Sequence, residues 1–173
     1  MIGLAELNAA TRDAFVAHLG GVFEHSPWVA ERAWERRPFA SRDALHAAMV
    51  AVVEEAGPER QLALLRAHPE LAGRAAVRGE MTEHSTHEQG GSGLLECSPE
   101  EFARLQELNR AYGERFGFPF IIAVRGLDRA AIIAAFERRL GNGREAEVAE
   151  ALRQIARIAG LRLAGSVEDA RAG

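Results

Sequence analysis

Along most of the chain apolar residues recur at intervals of three and four, with alanine, leucine, glutamate and arginine between them. That is the periodicity and the propensity of amphipathic α-helix, and the alternation a half-buried strand needs is scarce. The spacing predicts helices over about 11–19, 27–36, 42–56, 59–67, 99–115, 128–139 and 144–159. Ser41, followed by Asp43 and Ala44, reads as a helix start. Ser98-Pro99-Glu100-Glu101 reads as a full capping box with proline at the first helical position. Gly57-Pro58 and Gly141-Asn142-Gly143 read as stops. With no composition shift, internal repeat or low-complexity tract, the expectation is an all-α, single-domain bundle of about seven to nine helices over residues 1–173. Its core covers about 8–165, and a small, polar, frayed tail covers 166–173.

A chain of 173 residues is large enough to bury one substantial core. The formal charge of −4, with acids and bases interleaved, provides no basic stripe, so nucleic acid and anionic lipid are poor partners. Cys97 is the only cysteine, which excludes an intrachain disulfide and a four-cysteine zinc site and fits a reducing compartment. The first twenty residues lack the basic-then-apolar layout of a signal peptide. The charge-free run "FGFPFIIAV" is far shorter than the roughly 20 residues a membrane span needs. The expected location is cytoplasmic, with no membrane association.

Three stretches resist the helical reading. In "AHPELAG", Pro69 disfavours α geometry at His68, so the helix before it must end there; the imidazole is either a helix C-terminal cap or a functional group. In "EHSTHEQGGSG", residues 83–93, Ser85-Thr86-His87-Glu88 fits a capping box, yet Gly90, Gly91 and Gly93 each cost about 1 kcal/mol relative to alanine within a helix. A metal reading of His84, His87 and His68 meets the wrong spacing, because the zincin order H-E-x-x-H sets its histidines four apart. In "FGFPFIIAVRG", three of the eight phenylalanines gather around Pro119. A buried extended run without a partner strand leaves backbone groups to be satisfied by loops or by a small polar ligand. Arg162 adds a fourth feature. If the last helix continues through Gly160, Ile155, Ile158 and Arg162 share a face, and a guanidinium buried there needs an anion; if Gly160 ends the helix, Arg162 points to solvent.

Taken in order, "SPWVAERAWERRPF", "HPELAGRAA", "MTEHSTHEQGGSGL", "LNRAYGERFGFPFIIAVRG" and "RLGNGREAEVAEALRQIARIAGLRL" resemble the OHCU decarboxylase family, over about residues 26–163. That family acts on 2-oxo-4-hydroxy-4-carboxy-5-ureidoimidazoline (OHCU) in the path from urate to allantoin. The resemblance implies an all-helical, cofactor-free carboxy-lyase, a homodimer, that leaves (S)-allantoin. It implies His68 as the catalytic proton donor and Glu88 as its acid-base partner. Ser85 and Gln89 are to contact the ring and ureido groups, with Thr86 and His87 in the same substrate-binding stretch. Pro69 is to line the pocket. Phe120, Ile121, Ile122, Ala123 and Val124 are to present backbone groups to the ligand, and Arg162 is to hold an anionic or carbonyl oxygen.

The chain departs from the family pattern at Gly90-Gly91-Ser92-Gly93, where many members have alanine before the last glycine, which puts local rigidity rather than the catalytic residues in question. Two other functional classes stay open on the residues: a metal-dependent hydrolase built on His84, His87 and His68, and a non-catalytic helical module that docks a protein through FGFPF.

Overall fold

The structure, a computed structural model, describes residues 1–72 and 82–169. Gly73–Ala76 of the "HPELAGRAA" motif, Met81 and the last four residues of the tail lie outside them. The described residues hold nine α-helices, a 3₁₀ turn over Leu94–Glu96 and one pair of two-residue strands, so the all-α expectation holds. No helix among them is long and apolar enough to cross a membrane. The chain divides into two compact units, one formed by Met1–Ala67 with the chain from Ala156, the other by His68–Ile155.

In the first unit, β1 (Ile2–Gly3) leads into α1 (Leu4–Ala9), α2 (Arg12–Leu19), α3 (Trp28–Trp34), α4 (Arg42–Glu55) and α5 (Pro58–Ala67). Local chemistry sets these ends. Thr11 and Ser41 cap α2 and α4, each accepting from the backbone N–H three residues on. Gly57, at φ +86°, makes a left-handed turn between α4 and α5 that a side chain would strain. The apolar faces of α2, α3 and α4 meet over Phe15, Leu19, Val29, Leu45 and Met49, all buried. α1, which the periodicity does not announce, is held through Asn8, whose amide brackets Phe39 by donating to its carbonyl (2.9 Å) and accepting from its N–H (2.8 Å).

The last helix, α9 (Arg144–Ser166), runs past the predicted end at 159, because Gly160 is helical rather than terminal. A Cβ at Gly160 would lie 3.3 Å from the His46 ring, whose Nε2 is 2.7 Å from the Ala156 carbonyl. Glycine is therefore a packing residue at that position. After α9, β2 (Val167–Glu168) pairs in parallel with β1, Ile2 opposite Val167 and Gly3 opposite Glu168. The first residues of the tail expected to fray, up to Asp169, make the following contacts. Val167 is fully buried, its carbonyl accepts from the Arg42 guanidinium, and the Asp169 carboxylate accepts from the Arg42 N–H.

The second unit contains α6 (Glu83–Gly91), the 3₁₀ turn, α7 (Pro99–Phe116), α8 (Arg129–Leu140) and the first part of α9. The Ser98 capping box is present in full, with the Ser98 hydroxyl accepting from Glu101 N–H and the Glu101 carboxylate accepting from Ser98 N–H. Gly117, at φ +76°, ends α7 in the left-handed turn and releases the chain into the FPF segment. Asp128 caps α8 by accepting from Ala131 N–H.

Candidate active site

The predicted capping box at Ser85 is replaced by a start three residues earlier. Thr82 is the N-cap of α6 and accepts from Ser85 N–H, so Ser85 belongs to the helix itself. The consequence is geometric. Within α6, Ser85, Glu88 and Gln89 fall on one side by the three-and-four rule. Ser85 and Gln89 are 3% and 4% exposed, deep burial for polar side chains in so short and glycine-rich a helix. Thr86 and His87, expected to touch substrate, occupy exposed positions together with His84. Among the described residues no three His, Cys, Asp or Glu side chains gather in a metal-holding group.

His68 is the first residue beyond α5, as Pro69 requires, and it is buried. From His68 to Ala72 the chain is neither helix nor strand, so its backbone groups depend on side chains. Gln89 supplies two of the bonds. Its Oε1 accepts from Ala72 N–H at 2.9 Å, and its Nε2 donates to the Glu70 carbonyl at 3.3 Å. Asn109 donates to the Leu71 carbonyl at 2.9 Å and Gln106 to the Ala72 carbonyl at 2.7 Å. The Gln89 amide, expected to face the ligand, is therefore engaged by the segment that carries His68. Ala72 sits at φ +48°, a left-handed conformation uncommon for a residue with a side chain.

The FPF segment is also irregular, and charge holds it. Arg139 of α8 is bidentate on Glu147 of α9, with N···O distances of 3.0–3.1 Å, and donates to the Ile121 carbonyl at 2.6 Å. Its guanidinium lies over the Phe120 ring, 4.4 Å from the centroid. Tyr112 and Asn142 also donate to Glu147, and Phe120 stacks on Phe136 at 3.9 Å. Gln154 accepts from Ala123 N–H at 2.9 Å. Two of the backbone groups expected to face a ligand, the Ile121 carbonyl and the Ala123 amide, are thus taken within the protein.

Burial alone would raise the pKa of Glu147, but the hydrogen bonds from Arg139, Tyr112 and Asn142 outweigh it and hold the carboxyl below its usual range. Burial, then the bond to Glu147, pushes the Tyr112 hydroxyl far upward, so it remains a donor. Sequence reasoning missed this network. Glu147 reads as an ordinary first-turn acid and Arg139 as a C-terminal cation beside Arg138. The one available signal is the clustering of aromatic residues at 112, 116, 118 and 120, which marks a core that polar partners must close.

In the first unit, the continuation of α9 through Gly160 buries Arg162. Its side chain is 2% exposed and pairs with the equally buried Glu24 at 3.0 Å, with the Gly21 and Val22 carbonyls at 3.4 and 3.3 Å. The anion that a buried guanidinium requires is thus supplied, at least in part, by the chain itself. Among the described residues, His25, next to Glu24, is the other side-chain-bearing residue at positive φ, +46°.

A model of the protein family described as OHCU decarboxylase matches residues 8–164. The 2-oxo-4-hydroxy-4-carboxy-5-ureidoimidazoline decarboxylase of Haloferax volcanii is 47% identical over 161 residues, 93% of this chain and 94% of that protein. The Mus musculus protein of the same name is 36% identical over 92% of this chain and 90% of its own. Among solved structures, (S)-allantoin synthase aligns with a TM-score of 0.74 at 29% identity, covering 96% of this chain and 54% of that one. A structure of OHCU decarboxylase in the presence of (S)-allantoin aligns with a TM-score of 0.68 at 19% identity, covering 90% and 97%, and supports the fold.

Proposed function

Because the chain belongs to the OHCU decarboxylase family, we propose that it converts OHCU to (S)-allantoin, with His68 as proton donor and Glu88 as its acid-base partner. The observation that carries the assignment of roles is the fastening of the His68 segment to α6, the helix on which Ser85 and Glu88 lie, through both ends of the Gln89 amide.

The chemistry suits such a site. The carbon–carboxylate bond breaks, carbon dioxide leaves, and the electron pair passes into the adjoining C=N of the imidazoline ring. The substrate carries its own electron sink, so the reading needs no metal and no organic cofactor. The protein's work is to orient the ring, to hold developing charge with fixed donors, and to deliver one proton to one face of the planar intermediate. An imidazole suits that delivery, since its unperturbed pKa of about 6.5 lies close to working pH. Ser85, Pro69 and the remaining backbone groups of Phe120–Val124 are assigned to the ring and ureido groups. A homodimer in the cytoplasm completes the reading, and light scattering of the purified protein tests the dimer.

Freshly generated OHCU, followed by circular dichroism with and without the protein, tests the activity. The expected result is faster conversion and an excess of one allantoin enantiomer. Racemic product at the spontaneous rate, with folded protein present, contradicts it.

A further inference from the structure

Four backbone groups of Glu70, Leu71 and Ala72 are satisfied by three neutral side-chain amides from two helices, Gln89 on α6 and Gln106 and Asn109 on α7. Gln106 and Asn109 are three apart, so successive turns of α7 meet successive carbonyls of the segment. Two of the four bonds fall on Ala72, the residue in the left-handed conformation, which other contacts must hold in place. His68 stands four residues before it, and Pro69 stiffens the chain between. Asn109 is 4% exposed and Gln106 half-buried, and no step of the proposed reaction uses either.

We propose that Gln106 and Asn109, together with Gln89, are positioning residues that fix the Pro69–Ala72 turn and so present the His68 imidazole in a single orientation. The inference rests on the assignment of His68 as proton donor. Amides suit this task because each offers a hydrogen-bond donor to a backbone carbonyl without carrying a charge of its own. The isosteric changes Gln106→Glu and Asn109→Asp replace the donating amide with a carboxylate facing a carbonyl, and leave side-chain size unchanged.

Gln106→Ala, Gln106→Glu and Asn109→Asp are compared with the unaltered protein by NMR of the His68 ring protons and by steady-state kinetics on OHCU. The unaltered protein should show one set of His68 ring signals. The variants, folded by circular dichroism, should show broadened or doubled signals, with kcat down on the order of tenfold and KM changed less than about twofold. Ring signals that stay single and unshifted in all three variants overturn the proposal, whether or not the protein turns over OHCU. A KM rise with unchanged kcat also overturns it, since that is the mark of a substrate contact. An unaltered protein inert toward OHCU removes the functional reading instead, and the ring signals still decide whether the amides hold the imidazole.

Discussion

The chain from His68 to Ala72 and the chain from Phe118 to Val124 are both irregular, and both depend on α7 for support, through Gln106 and Asn109 in one case and Tyr112 in the other. They are held by different chemistry. Neutral amides hold the first, with each bond worth about 1 kcal/mol net. A buried, charge-assisted network of Arg139, Glu147, Tyr112 and Asn142 holds the second, beneath stacked aromatic rings. Neutral amide donors and acceptors thus meet the backbone of Glu70–Ala72 in the segment that carries His68, while the Arg139–Glu147 pair stands under the segment assigned to present backbone groups.

Glu147→Ala should break this contrast most strongly. It strands the Arg139 guanidinium, whose side chain is 6% exposed, without its carboxylate. Loss of roughly 3–5 kcal/mol in urea unfolding is expected. A loss below about 1 kcal/mol would assign the fastening of the second segment to the aromatic stack alone.

Asn109→Ala removes one donor and leaves the Leu71 carbonyl to find another partner. The expected loss is smaller, about 1–3 kcal/mol. Equal losses for Asn109→Ala and Glu147→Ala would erase the distinction between the two kinds of support.

The pH dependence of stability sharpens the same contrast. The folded-state pKa of Glu147 lies below its ordinary value of 4.5, so its contribution is complete above that pH and is lost as the pH falls through the folded value. The pKa of Tyr112 lies above its ordinary 10.0, so its contribution is complete below that pH and is lost as the pH rises toward the folded value. Unfolding free energy should therefore fall at both extremes, and Glu147→Gln should flatten the acid limb. An acid limb of the same depth in Glu147→Gln would place the linkage on other carboxylates.

Ala72→Gly should have the smallest effect, within about 1 kcal/mol. Relief of the φ +48° conformation offsets the greater freedom of glycine in the unfolded chain. A larger loss would mean that the Ala72 methyl group packs, rather than merely tolerating the turn.

What could be read from the sequence was what is local. The Ser41 cap, the Ser98–Glu101 box and the break at Gly57-Pro58 each depend on neighbours within four residues, and each is found where the sequence puts it. The β1–β2 pairing could not be read this way, because Ile2 and Val167 lie at opposite ends of the chain and two-residue strands carry no alternation. The start of α6 was misplaced because Thr82 and Ser85 both head plausible caps, and only the burial of Ser85 distinguishes them. The motif letters brought out Gln89 but not its use, since an amide directed at a ligand and one directed at a backbone look the same in sequence. Gln106 gave no signal at all. It sits among the polar residues of an amphipathic helix, and only the folded Ala72 carbonyl marks it out.

The central claim is that His68 delivers the proton that sets the new stereocentre. His68→Asn, shown to be folded by far-ultraviolet circular dichroism and thermal unfolding, is mixed with freshly generated OHCU, and the optical activity of the allantoin is followed against the unaltered protein. The expected result is an enantiomeric excess with the unaltered protein and racemic allantoin at the spontaneous rate with the variant. A folded His68→Asn protein that still yields the same excess would contradict the claim.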